Sequence, residues 1–444
     1  MNEIRQILLI SLGHPELVLG GSPVVCQELF DELRSRGDLE CTMLAAVDRE
    51  AGDVHQPKAG ITGFDGRDGV YLLHQTDHDA WLHRNNEPLL VDGFIALLRA
   101  LEPDVVHFHH FLSIGLDLIG TVRRILPACR ILLTFHEFTA ICAADGHMVR
   151  RTDRSLCDHA SPVRCHQCLP DRQPDEFIIR KMWLEHHLSQ VDHFTCPSHF
   201  MIEPYVTWGI ARERISQVTN GQRTRVVRPM LAPPSGPRNR FGFFGLLHDD
   251  KGVTVLLRAV TLLREAGFTQ FHVDINGGGI QHASPPIRQE IEAFQEAEQH
   301  LPPAGRIVSF NGAYSLDQIQ SRMARVDWTI VPSVWWEIFG LVISEAWMFG
   351  RPVICSNVGG MAERVRHEVD GLHFEMGDPA SLAAAIRRAS TEDGLWERLH
   401  AAVPEPPSRA EMADGFLALY RAGGGRGAFR VDTDGTDPDI APRE

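Results

Sequence analysis

The sequence predicts an α/β protein built as two doubly wound halves, and three observations carry that reading. Short continuous apolar runs alternate with helix-period segments from Gln6 onward, a proline-rich stretch interrupts the alternation, and the same alternation then restarts. Continuous apolar strands separated by helices indicate parallel sheets covered on both faces. At 444 residues the chain is too long for one ordinary core and suits two.

The first half reads in order as "QILLISL", a helix from Gly20 to Arg36, "LECTMLAAV", "GVYLLHQ", a helix from Pro88 to Leu101, "DVVHFHH", a helical stretch to Leu126, and "RILLTFH". It closes with "HFTCPS", another helix and "RISQVTNG", which places a Rossmann-like domain at residues 1–222. Residues 223–239, with four prolines and a glycine, read as a linker.

The second half runs through "RFGFFG", "KGVTVLLRAVTLLREAG", "FHVDING", "RIVSFNG", "DQIQSRMARV", "DWTIVPS", "GLVISEAWMFG", "RPVICSN", "MAERVRH", "GLHFE" and "PASLAAAIRRAS", a second such domain at 240–400. An amphipathic helix follows at 405–422, and 423–444 has the composition of a disordered tail. Open α/β sheets bind ligands outside the carboxyl ends of their strands, so the two domains are expected to face a central cleft.

Lys and Arg number 43 against 58 Asp and Glu, a formal charge of −15, which argues against general attraction to nucleic acid or anionic lipid. The first apolar run ends at Gly13-His14-Pro15, too short for an export signal or a bilayer span, and the expectation is a cytoplasmic protein. Of nine cysteines, Cys26, Cys41, Cys129, Cys196 and Cys355 lie in apolar runs and read as core residues.

"PSVWWEIFGLVISEAWMFG", Pro332 to Gly350, places Glu337 and Glu345 eight residues apart around a Phe-Gly pair. With a strand before it and a helix after, the backbone N–H groups of Phe339, Gly340 and Leu341 are expected at a helix start, which suits an anion such as phosphate. Gly340 lets a ligand approach the backbone. An ionised carboxylate accepts hydrogen bonds from a vicinal diol, so two acids beside a phosphate site suit a ribose and a hexose, that is, a nucleotide sugar. The plain alternative is a solvated helix start whose acids merely suit the macrodipole.

Glu337-x7-Glu345 within "PSxxExFGLxxxEAxxxGxPVI", followed by "GGMAE", resembles the donor-site signature of family 4 of the retaining glycosyltransferases, which have the GT-B fold. "LGGSPVVCQELFDELRSRG", "TFHEF", "TNGQ" and "KGVTVLLRAV" resemble further family segments, in the family's order, over residues 5–420. The resemblance implies transfer of a sugar from a nucleotide diphosphate to a hydroxyl acceptor, in polysaccharide or glycoconjugate biosynthesis. It implies that Glu337 meets the donor sugar, Glu345 holds the ribose diol, Lys251 neutralises the leaving diphosphate and His136 lies near the reacting carbon.

Gly20 and Gly21, between the first strand and the first helix, are placed to approach a β-phosphate or an acceptor. No G-x-G-x-x-G is present, so no nicotinamide cofactor is expected, and no Asp-x-Asp is positioned for a catalytic metal. The family commonly has Gly-Arg before the lysine. Here Gly245 is followed by Leu246, leaving Arg223, Arg225 and His248 as candidate replacement cations. His107, His109 and His110 are expected to line the acceptor side. Two other classes stay open: a GT-B nucleotide-sugar-binding protein that has lost catalysis, and a nucleotide-sugar hydrolase or epimerase.

An insert at 137–170 carries Cys142, Cys157, Cys165 and Cys168 as C-x14-C-x7-C-x2-C, whose terminal knuckle suits a structural zinc. The alternative is four reduced cysteines in a mobile lid. The insert follows His136 and is expected to roof the acceptor cleft. The next helix, "EFIIRKMWLEHHLSQ", mixes apolar and basic residues; packing explains it better than peripheral membrane contact.

Overall fold

A computed structural model describes residues 4–18, 20–47, 60–222 and 236–422. Most of the expected linker, the whole of the expected tail, and Arg223 and Arg225 lie outside the described residues. Contacts divide the chain into two compact units, Met1–Arg223 with Pro407–Glu444, and Thr224–Pro406.

The first unit holds an eight-stranded sheet in the order Ile215–Gln217, His193–Cys196, Arg130–Thr134, Val105–Phe108, Gln6–Ser11, Glu40–Val47, Val70–His74 and Gly60–Gly63. Its neighbours pair in parallel except at the last edge, where Gly60–Gly63 runs antiparallel to Val70–His74. That edge strand was not legible in the sequence: four residues, "GITG", with a glycine at each end offer no apolar run to read. Ile7, Leu8, Leu9 and Ile10 are all buried, which is why the first strand has no polar alternation.

The helix Arg409–Arg421 belongs to this unit. Ser408 and Glu411 form a capping box at its start. Met412, Phe416, Leu417 and Tyr420 are buried, and the Tyr420 hydroxyl lies 2.8 Å from Nδ1 of the buried His107. Toward the first helix, Gly21–Ser35, its Asp414 accepts from Arg36 at 2.6 Å and its Arg409 meets Glu32 at 2.9 Å.

The chain leaves and re-enters this unit side by side. Gln222 N–H donates to the Pro407 carbonyl at 3.0 Å, and Arg409 N–H donates to the Gln222 carbonyl at 3.2 Å. Next to them a Cβ on Gly221 would stand 2.2 Å from the Ser408 carbonyl oxygen, so only glycine allows the approach.

The second unit is a six-stranded parallel sheet in the order Val308–Phe310, His272–Asn276, Arg240–Phe244, Trp328–Val331, Val353–Ser356 and Gly371–Phe374. Neighbouring residues on a strand enter different cores: Phe241, Phe243 and Ile354 join one apolar cluster, and Phe244, Val353 and Cys355 the other. Helices cover both faces, as the uninterrupted apolar strands require. Two of the unit's helices, Pro285–His300 and Leu395–Ala401, had no counterpart in the sequence reading.

In strand sequence the second sheet runs third, second, first, fourth, fifth, sixth. Its direction of winding therefore reverses between Arg240–Phe244 and Trp328–Val331, the place where open α/β sheets hold ligands.

Candidate functional site

The loops that leave these two central strands carry the chemistry. After Arg240–Phe244, Gly245 lies against the glycine run 277–279: a Cβ on Gly277 would stand 1.9 Å from the Gly245 carbonyl oxygen. The "NGGG" thus makes room for a neighbouring loop. Gly252, at φ 68°, then brings the chain so close to Pro332 that a Cβ would stand 1.8 Å from the Pro332 carbonyl oxygen. Val334 N–H donates to the Asp250 carbonyl at 2.9 Å, tying the two loops together.

The result is that Lys251 and Glu337, 86 residues apart in sequence, form an ion pair of 2.6 Å. The same carboxylate oxygen, Oε2, accepts from Trp335 Nε1 at 3.2 Å and Ser333 Oγ at 3.3 Å. The Lys251 ammonium also stands 5.2 Å from the centre of the Trp335 ring. The Glu337 carbonyl accepts from Gly360 N–H at 2.7 Å, so the "GG" of "GGMAE" fixes the backbone behind the acid. Glu337 is 6% exposed, while the Lys251 side chain keeps about a third of its surface open. Ser333, Trp335 and Gly360 were not singled out from sequence, although all flank the glutamate motif.

The helix Leu341–Met348 starts after Gly340, whose φ of 70° ends the loop. Arg364 braces this turn. Its guanidinium donates to the carbonyls of Phe339 and Gly340 at 2.9 and 3.0 Å, reaches Ser344 Oγ at 2.6 Å, and lies over the Phe339 ring at 3.6 Å. Burial lowers it to about 9, which leaves it charged at neutral pH. Sequence reasoning missed Arg364, which stands just beyond the quoted "GGMAE".

Glu345 departs from the expectation that both acids are held ionised. Its Oε2 is sealed from solvent without a hydrogen-bond partner, and burial raises its carboxyl to about 7. It sits inside the helix, past the N–H groups that would favour its charge, so desolvation prevails.

In the first unit, Gly20 and Gly21 are exposed at the start of the helix Gly21–Ser35. His136 follows the strand Arg130–Thr134, half-buried, its Nε2 3.2 Å from Nδ1 of His109 and the two rings stacked at 5.5 Å. Burial, with His110 nearby, lowers His136 to about 3, so it is neutral.

The expectation that His107, His109 and His110 line an acceptor surface is not met: they are 0%, 0% and 5% exposed. Phe108 and the strand beneath are core, and the histidines are drawn in with them. His107 joins Tyr420 to Thr134. His110 accepts at Nδ1 from Phe111 and Leu112 N–H, so its Nε2 donates to Glu137 at 3.0 Å. They are supports behind His136.

The insert packs partly on itself. Ile141, Met148 and Val149 are buried, Val149 bridges Leu156, and Pro162–Cys168 is a helix capped by Ser161. Arg180, 4% exposed, anchors its beginning by donating to the carbonyls of Thr139 and Ala140 at 2.7 and 3.2 Å. Cys142, Cys157, Cys165 and Cys168 all border one cavity, and all nine cysteines are thiols. Among the described residues, no three His, Cys, Asp or Glu side chains already stand in an arrangement that holds a metal, and no helix is long and apolar enough to cross a membrane.

Fold and site together define an open α/β protein with a charged pair at a sheet switch point. The model described as "Glycosyltransferase Family 4" matches residues 19–225, and that described as "Glycosyl transferases group 1" matches 238–392. The chain belongs to glycosyltransferase family 4 and has the GT-B fold.

An uncharacterised glycosyltransferase of Methanocaldococcus jannaschii is 30% identical over 157 residues, covering 35% of this chain and 36% of that protein. D-inositol 3-phosphate glycosyltransferase of Corynebacterium jeikeium is 25% identical over 412 residues, 90% of this chain and 91% of that one. The crystal structure of Anabaena HepE in complex with UDP and glucose aligns with a TM-score of 0.61 at 15% identity, covering 94% of this chain and 99% of that one.

Proposed function

We propose that this chain is a retaining glycosyltransferase that moves a sugar from a nucleotide diphosphate donor to a hydroxyl acceptor without a catalytic metal, in polysaccharide or glycoconjugate biosynthesis. The observation that carries the reading is the Lys251–Glu337 pair, built by two loops at the switch point of the second sheet and followed by a braced helix start. A relative named as a D-inositol 3-phosphate glycosyltransferase and a fold neighbour holding UDP and glucose support a nucleotide-sugar donor and a sugar-like acceptor.

In this reading the donor diphosphate lies against the N–H groups of Phe339, Gly340 and Leu341. Lys251 turns from Glu337 to the leaving oxygen, where fixed positive charge stabilises the departing group. Glu337, released on the sugar side, accepts from donor hydroxyls, and Glu345 accepts from the ribose diol. The anomeric C–O bond to phosphate breaks, the bond to the acceptor oxygen forms on the same face, and the acceptor proton passes to the departing phosphate oxygen. His136, kept neutral, lines the sugar without adding charge, and Gly20 and Gly21 serve the acceptor or β-phosphate. The protein's part is orientation and charge stabilisation.

A panel of UDP, GDP and ADP sugars with sugar-alcohol and saccharide acceptors tests this. Transfer with the donor's anomeric configuration kept is the expected result. Binding without turnover would favour a lapsed enzyme, and donor consumption without acceptor a hydrolase or epimerase. Glu337→Ala is expected to lower kcat/KM by at least about a hundredfold; full activity in that variant would overturn the assignment.

A further inference from the structure

We propose that Cys142, Cys157, Cys165 and Cys168 bind one zinc ion as a closed structural site inside the insert, independently of the sugar-transfer reading. Three chain segments bring the four cysteines to the rim of one cavity. Cys142 ends a turn closed by its N–H on the Phe138 carbonyl at 2.7 Å, and Cys157 follows the Val149–Leu156 bridge, its N–H on Met148 at 2.7 Å. Cys165 and Cys168 are three apart on one helix and so share a face. Cys165 is within electrostatic reach of each of the other three.

The cavity they border has room for a water-sized sphere over about 30 Å³. About 10–15 Å³ on that measure holds one water, so a single ion with sulfurs at about 2.3 Å fits. As placed, the sulfurs ring this space without converging. Closing on one ion requires the side chains to turn between staggered wells, with Cys157 Sγ leaving the His159 carbonyl it meets at 3.1 Å.

Two features favour a metal over a plain thiol cluster. The chain's other five cysteines are each buried, 0–5% exposed, whereas these four are only half-buried and border one cavity. The cavity wall also includes Arg150 and Arg164. Binding converts four thiols to thiolates and releases four protons, leaving two net negative charges beside Arg150 and beside Arg164, which also pairs with Asp158 at 2.8 Å. Four thiolates close the coordination sphere, so the ion orders the insert that follows His136 and takes no part in chemistry.

The test is elemental analysis of the full chain purified without added zinc. About one zinc per chain is expected, and cobalt exchanged into the site should show thiolate-to-metal charge-transfer absorption. Zinc far below one equivalent with no cobalt signal, iron with inorganic sulfide, or a disulfide among the four on peptide mapping would each overturn the assignment. Cys168→Ser is expected to lose the metal. Should that variant not fold, chelator treatment of the wild-type protein should release zinc and expose residues 142–168 to proteolysis; an unchanged cleavage pattern after complete zinc removal would sink the structural role.

Discussion

Glu345 links acidity to both folding and the proposed binding. Burial raises its carboxyl from an ordinary value of 4.5 to about 7, so the folded chain holds a proton that the unfolded chain gives up earlier. The stability tied to this group is therefore whole below about pH 4.5 and is lost as pH rises through about 7. Glu345→Gln, which cannot ionise, should gain on the wild type across that window, by about 3 kcal/mol at most, in thermal melts compared at pH 5 and pH 8. The same variant should bind nucleotide more weakly above pH 7, because only the carboxylate accepts from both hydroxyls of a diol.

Leu246, 42% exposed beside Gly279, stands where the family commonly has arginine. Leu246→Arg should raise kcat, by up to about tenfold, in steady-state kinetics. An unchanged or lower rate would mean that another cation already does that job. The two glutamates, the lysine and the histidine could be picked out from sequence because each sits in a motif. Ser333, Trp335 and Arg364 could not, since their importance lies in contacts with a carboxylate or a carbonyl that only folding brings near.

The helix Arg409–Arg421 covers His107 and meets the end of the first helix. Phe416 is 1% exposed and packs against the rings of His107, His109 and Tyr420. Phe416→Ala should cost about 3–5 kcal/mol in denaturant melts. Periodicity gave this helix away in the sequence, within a few residues at its start. The Gly60–Gly63 strand and the helix Pro285–His300 escaped, the first for want of apolar residues, the second because its buried residues, Ile291 and Glu298, are too few to make a stripe.

For the molecule as a whole, the two-unit division follows from the alternation of apolar strands and helices, repeated either side of a proline-rich break. What the alternation could not reveal was the strand order, because register and winding depend on crossovers that leave no mark in composition. A chain in which residues 223–406 are replaced by a short glycine-serine linker should fold, since Gln222 and Ser408 are already neighbours. Circular dichroism and a single cooperative melt would show it; an aggregated or molten product would mean that the first unit needs the second to fold.

The Gln222–Ser408 bridge therefore makes the second unit a cassette with both of its wires soldered at one terminal. Swapping in the corresponding stretch from a relative takes two splices at one spot, and the recipient's last helix keeps its seat. Glycine at position 221 is the one condition such a graft must respect, because any side chain there would push the two wires apart.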